Sequence, residues 1–151
     1  MMDINTVTGH IVDAAIKVHT ALGPGLLESA YEICLAHELQ HRGLRVETQV
    51  ILPIHYEGLD LDAGYRIDLL VEDTVIVELK AVEKMLPLYD AQILSYLRLR
   101  RLEVGLLINF NVVKLKDGLK RVVNNYSGPS PSFTASPAVN PTRQNAQKDS
   151  C

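Results

Sequence analysis

Tyr65-Arg66-Ile67-Asp68-Leu69-Leu70-Val71, followed across a Glu72-Asp73 turn signal by Val75-Ile76-Val77-Glu78-Leu79-Lys80-Ala81, decides the fold of this chain. Two aliphatic runs bounded by polar turn formers read as a pair of strands. A tight turn centred on Asp73 sets Asp68 directly opposite Glu78, with Lys80 diagonal to Asp68. Alternation supports the same register: Ile67, Leu69 and Val71 share one face with Val75, Val77, Leu79 and Ala81, and Asp68, Glu78 and Lys80 share the other. Two carboxylates and an ammonium held together on an otherwise apolar hairpin are costly unless something uses them. A divalent cation relieves the repulsion between opposed carboxylates, and Lys80 beside it can orient or help deprotonate a water. The alternative is an ordinary ion-pair cluster on a solvated sheet face.

Working outward, residues 4–21 place Ile4, Val7, Ile11, Ala14, Ala15, Val18 and Leu22 at helical spacing, and Gly23 closes the helix. Pro24 is placed to open a second helix, with the stripe Leu27, Ala30, Tyr31, Cys34, Leu35 and Leu39, which Gly43 stops. Strands are expected over residues 46–56, 62–71 and 74–82, with a further turn at Glu57-Gly58. A helix over residues 88–102 presents Gln92, Tyr96 and Arg100 as a polar stripe opposite Ile93, Leu94 and Leu97. Residues 104–110 form a buried strand and 119–124 an edge strand. The order helix, helix, three strands, helix, strand or two describes an α/β domain with a mixed central sheet flanked by helices.

The chain has 151 residues, 47% hydrophobic and 22% charged, which suits one globular domain and excludes collagen-like, coiled-coil and wholly disordered classes. We place the domain at residues 1–126. Residues 127–151 hold four of the seven prolines and few aliphatic side chains, and are expected to form a disordered Ser/Pro-rich tail. No signal peptide or 18-residue apolar run is visible, so no membrane partner is expected. Cys34 and Cys151 read as reduced thiols of a cytoplasmic protein. The net charge of −3 offers no general attraction for a polyanion, but residues 84–126 hold eight bases against three acids.

Several motifs now stand in a known order. Asp68 with Glu78-Leu79-Lys80 resembles the PD-(D/E)xK nuclease signature, with Ile67 where proline is usual. Gln92 with Tyr96 resembles the Gln-x-x-x-Tyr helix of its exonuclease-like branches, and Gly25-Leu26-Leu27-Glu28-Ser29-Ala30-Tyr31 is similar to the motif of the bacterial GxxExxY family. The resemblance spans roughly residues 6–124. It implies a restriction-endonuclease-like fold, a mixed sheet of four or five strands with helices on both faces. It also implies a nuclease that hydrolyses phosphodiester bonds with Mg²⁺ or Mn²⁺. Asp68, Glu78 and the Leu79 carbonyl would be metal ligands, Lys80 the catalytic lysine, and Glu28 a helical acid supporting the metal or its waters. Gln92 and Tyr96 would position the phosphate or the water. Lys84, Arg98, Arg100 and Arg101 are candidate phosphate contacts, with DNA ahead of RNA as substrate. The other readings of these residues are a helix-start acid for Glu28, core for Tyr31 and a solvated helix face for the arginines. A non-enzymatic binding or regulatory module on the same scaffold, as a homodimer, is the alternative function.

His37-Glu38-Leu39-Gln40-His41 matches H-E-x-x-H, in which two histidines one turn apart bind zinc beside a glutamate base. A zinc metalloprotease is therefore a further alternative. The match falls in the last turn before Gly43, and its third ligand would have to come from His55 or Glu57 in a predicted strand. His10 and His19 read as boundary residues of the first helix.

Overall fold

The structure, a computed structural model, describes residues 2–131 and the backbone of residues 136–139. Helix α1 (Ile4–Leu22) starts at Asp3, whose carboxylate accepts the Thr6 N–H at 3.0 Å, and ends at Gly23 in the left-handed region at φ 70°. Helix α2 (Glu28–His41) begins four residues after Pro24, so the expected opening at proline is not what occurs. The Tyr31 hydroxyl decides this. It donates to the Gly23 carbonyl (2.6 Å) and accepts the Leu26 N–H (3.1 Å), holding residues 23–26 as a loop, while Leu27 is 78% exposed and outside the apolar stripe.

Strand β1 (Val46–Ile51) is followed by a separate hairpin of β2 (Ile54–Tyr56) and β3 (Leu59–Leu61). The single strand expected over 46–56 is split because Leu52 turns into the core and Pro53 has no N–H for a ladder. Glu57 and Gly58, both at positive φ, close the β2–β3 turn. Strands β4 (Arg66–Val71) and β5 (Val75–Lys80) form the predicted hairpin, its turn made by Glu72 and Asp73, both left-handed. Helix α3 (Pro87–Arg100) then crosses to β6 (Val104–Asn109), which runs parallel to β5, and a 3₁₀ turn leads to β7 (Leu119–Val123). Within the segment expected to be disordered, Ser136–Val139 forms β8, parallel to β7, so the sheet order is β1-β4-β5-β6-β7-β8 and β7 is not an edge. Residues 132–135 and 140–151 of that segment lie outside the described residues.

Helices cover both faces of this mixed sheet, as expected. On one face α1 and α2 pack Val7, Ile11, Tyr31, Leu35 and Leu39 against Leu69, Val71, Val77, Leu79 and Ile108, with Tyr31 stacked on Phe110 at 4.4 Å. On the other, α3 packs Ile93, Tyr96 and Leu97 against Leu70, Ile76 and Leu107. Truncating a fully buried leucine such as Leu35 costs about 2–5 kcal/mol. Ile67 departs from expectation by joining the α3 side. Gln49 in β1 has φ 50°, the β1–β4 pairing skips from Thr48↔Leu69 to Val50↔Ile67, and the interrupted pleat turns Ile67 over. Arg121, 3% exposed, ties β7 to α1 through Asn5 (2.9 Å) and Thr8 (3.2 Å). No described helix is long and apolar enough to cross a membrane.

Candidate active site

The β4–β5 ladder runs Val71↔Val75, Leu70↔Ile76 and Leu69↔Val77, and there the pairing ends. Side chains take over where the backbone bonds stop. The Asp68 N–H donates to Glu78 Oε1 at 3.2 Å, and the Leu79 N–H donates to Asp68 Oδ2 at 2.9 Å. Each carboxyl thus accepts from the opposite strand, and the facing of Asp68 and Glu78 predicted from the turn is present. In an extended strand a residue's N–H and C=O project to the same side, so the Leu79 carbonyl also faces β4.

Glu78 is 5% exposed. Burial, and then the charge of Asp68, push its carboxyl up to about 9, with Lys80 opposing the shift. A carboxyl raised by burial and by a second carboxyl opposite it is one that a bound cation would favour in its charged form. Two opposed carboxyls and a backbone carbonyl are hard oxygen donors of the kind Mg²⁺ and Mn²⁺ take. Lys80 leaves the strand beside them, its Nζ 4.4 Å from the centre of the Tyr89 ring. The strand end beneath Lys80 is held by hydrogen bonds. The Phe110 N–H donates to the Lys80 carbonyl at 2.9 Å, and buried Asn109 exchanges two bonds with the Val82 backbone, at 2.9 and 3.1 Å. Gly118 permits this, since a Cβ there would lie 2.1 Å from the Asn109 carbonyl oxygen.

From α3, Gln92 Nε2 donates to the Tyr96 hydroxyl at 3.0 Å. Tyr96 does not lie on a polar stripe as expected. It is buried in the α3 core, and burial, followed by the charge of Glu78, raises its hydroxyl above the usual range. Its burial supplies the reason for a tyrosine among polar neighbours. Arg98, Arg100, Arg101 and Lys84 are exposed, and none lines the cleft beside α3.

The helix acid linked to Asp68 is Glu32, one turn beyond Glu28, and the link runs through Gln49. Gln49 Nε2 donates to both Glu32 Oε1 (2.5 Å) and Asp68 Oδ1 (3.3 Å). Glu32 is raised chiefly by burial, with repulsion from Asp68 and Glu28 adding to it and the Gln49 bond opposing it. Glu28 is exposed at the first position of α2, and its charge adds to the repulsion on Glu32. Glu32 was detectable as the next acid on the Glu28 face. Gln49 had no sequence signal, because nothing local announces its left-handed backbone.

The H-E-x-x-H stretch is assembled differently. His37 and His41 are exposed, with parallel rings 6.5 Å apart, and Glu38 is held by Lys17 (3.0 Å) and Arg42 (3.3 Å). His55 instead pairs with Asp60 in the β2–β3 hairpin. Among the described residues no three His, Cys, Asp or Glu side chains converge to hold a metal, so no zinc triad forms around His37 and His41.

Residues 5–122 match the sequence model of the PD-(D/E)XK nuclease superfamily. The chain belongs to this superfamily. No curated protein and no solved structure matches it. Enzymes of the PD-(D/E)XK superfamily generally use divalent metals, and the oxygen donors of Asp68, Glu78 and Leu79 suit such an ion. The mixed sheet with helices on both faces is the superfamily's restriction-endonuclease-like fold.

Proposed function

We propose that this PD-(D/E)XK protein is a divalent-metal-dependent nuclease that hydrolyses phosphodiester bonds, with DNA ahead of RNA as substrate. The observation that carries the reading is the buried Glu78 carboxyl facing Asp68 where the backbone ladder ends. Asp68, Glu78 and the Leu79 carbonyl would hold Mg²⁺ or Mn²⁺, which when bound lowers the pKa of water and neutralises charge building on the phosphate.

The chain's own groups have separate tasks. Lys80 directs its ammonium at the attacking water or a phosphate oxygen from a strand end fixed by Asn109 and Phe110. The Gln92–Tyr96 bond holds the Tyr96 hydroxyl in the cleft that Lys80 also lines, where it can donate to a phosphate oxygen. Gln49 and Glu32 keep Asp68 oriented. Lys84, Arg98, Arg100 and Arg101, exposed after β5 and at the end of α3, would meet phosphates away from the scissile bond.

Calorimetric titration of Mg²⁺ and Mn²⁺ into the wild type and Asp68→Ala, beside cleavage of single- and double-stranded DNA and RNA, tests this. Metal binding and cleavage that both vanish in Asp68→Ala are expected. Absence of both in the wild type would favour a non-enzymatic binding module, and zinc binding lost in His37→Ala but kept in Asp68→Ala would favour the protease.

A further inference from the structure

Beside the carboxyl pair, between α3 and the β2–β3 hairpin, lies a cleft of about 510 Å³. Its volume falls within the roughly 300–1,000 Å³ of pockets that enclose a small ligand. Lys80, Gln92 and Tyr96 line it, so it is continuous with the proposed centre, and among the described residues Lys80 is the one charged side chain in its wall. The remaining wall is largely aromatic and aliphatic. Tyr65, 44% exposed, meets Tyr96 edge to face at 6.2 Å and 66°, and Tyr89 lines the same cleft with the Lys80 ammonium over its ring. Leu88, at 70% exposure, and Leu99 extend the apolar rim. An exposed patch of this kind is costly to keep in water unless a ligand covers it.

We infer that this cleft seats the base of an unpaired nucleotide, stacked against Tyr65 and Tyr89, with its phosphate at Lys80, so that the enzyme acts on single-stranded nucleic acid. The inference rests on the nuclease reading for the phosphate end and on the cleft for the base end. A paired base is stacked inside its duplex and offers no free face to a tyrosine, whereas a duplex is gripped by rows of cations along its phosphates. The cleft has the first kind of surface and lacks the second. Stacking is tolerant of base identity, because every base has a π-face.

The test is metal-free, so that nothing is cut. Fluorescence anisotropy of the full chain in chelator is measured with oligothymidylate and oligouridylate of roughly 12 nucleotides, and with a duplex of the same length. Single strands should bind at least about tenfold tighter than the duplex, and Tyr65→Leu and Tyr89→Leu should each lose about tenfold while Tyr65→Phe keeps its affinity. Tighter binding of the thymidylate or of the uridylate supports the inference with DNA or RNA as the source. Equal affinity for duplex and single strand, or unchanged affinity in the leucine variants, overturns it whether or not the wild type is a nuclease. A dimer broken by Leu88→Asp, with no oligonucleotide bound, overturns it in favour of a second copy of the chain. Failure to cleave with Mg²⁺ or Mn²⁺ despite tyrosine-dependent binding would sink the nuclease reading and leave the base-stacking cleft standing.

Discussion

Two regions of this chain present metal-binding spacings, and the fold treats them in opposite ways. In α2, His37 and His41 lie one turn apart with Glu38 between them, yet both rings are exposed and the glutamate is neutralised by Lys17 and Arg42. In the β4–β5 hairpin, Asp68 and Glu78 are ten residues apart in sequence but share cross-strand bonds, and Glu78 is almost fully buried beside another carboxyl. The helical set has no charge left to satisfy. The hairpin set holds an acid that burial and a like charge have pushed up to about 9. Spacing makes a motif, whereas a buried acid with its pKa displaced by a like charge marks a candidate site.

The sharpest way to break this comparison is Lys80→Met, which keeps the stem and removes the charge. Cleavage should fall by about 10³-fold or more with little change in folding, measured by initial rates and thermal melting. Comparable activity in the variant would remove Lys80 from the chemistry.

Glu78→Gln tests the electrostatic half. The unfolded carboxyl titrates at its ordinary value of 4.5 and the folded one at about 9, so between these pH values the folded chain binds the extra proton. Stability therefore falls as pH rises through that window, by up to about 1.4 kcal/mol per pH unit. Melting temperature without metal should decline across it in the wild type and stay nearly flat in Glu78→Gln, and Mg²⁺ should restore only the wild type at the alkaline end. Identical slopes would mean that Glu78 titrates normally.

Gln49→Ala frees Asp68 from Glu32 and should weaken Mg²⁺ binding by about tenfold, as should Glu32→Ala, with a smaller effect from Glu28→Ala. Calorimetry that ranks Glu28 above Glu32 would return the helical role to the motif glutamate. The smallest effect belongs to α2: His37→Ala and His41→Ala should leave cleavage unchanged and shift stability by no more than about 0.5 kcal/mol.

The amino-acid sequence by itself determined what depends on neighbours along the chain. Apolar periodicity marked α1, α3 and most strands, and the short turn at Glu72-Asp73 set the hairpin register, so Asp68 opposite Glu78 was legible before any coordinates. Tertiary structure alone decided what depends on segments distant in sequence. Gln49 reaches Glu32 and Asp68 only because a left-handed residue in β1 lies between α2 and β4. Ile67 changes face where that residue breaks the pleat, and Tyr96 leaves its polar stripe because α3 packs it into the core with Ile67, Leu70 and Ile76. The reason is physical: turn geometry and periodicity are local, whereas burial, desolvation and side-chain convergence arise only when separate elements pack together.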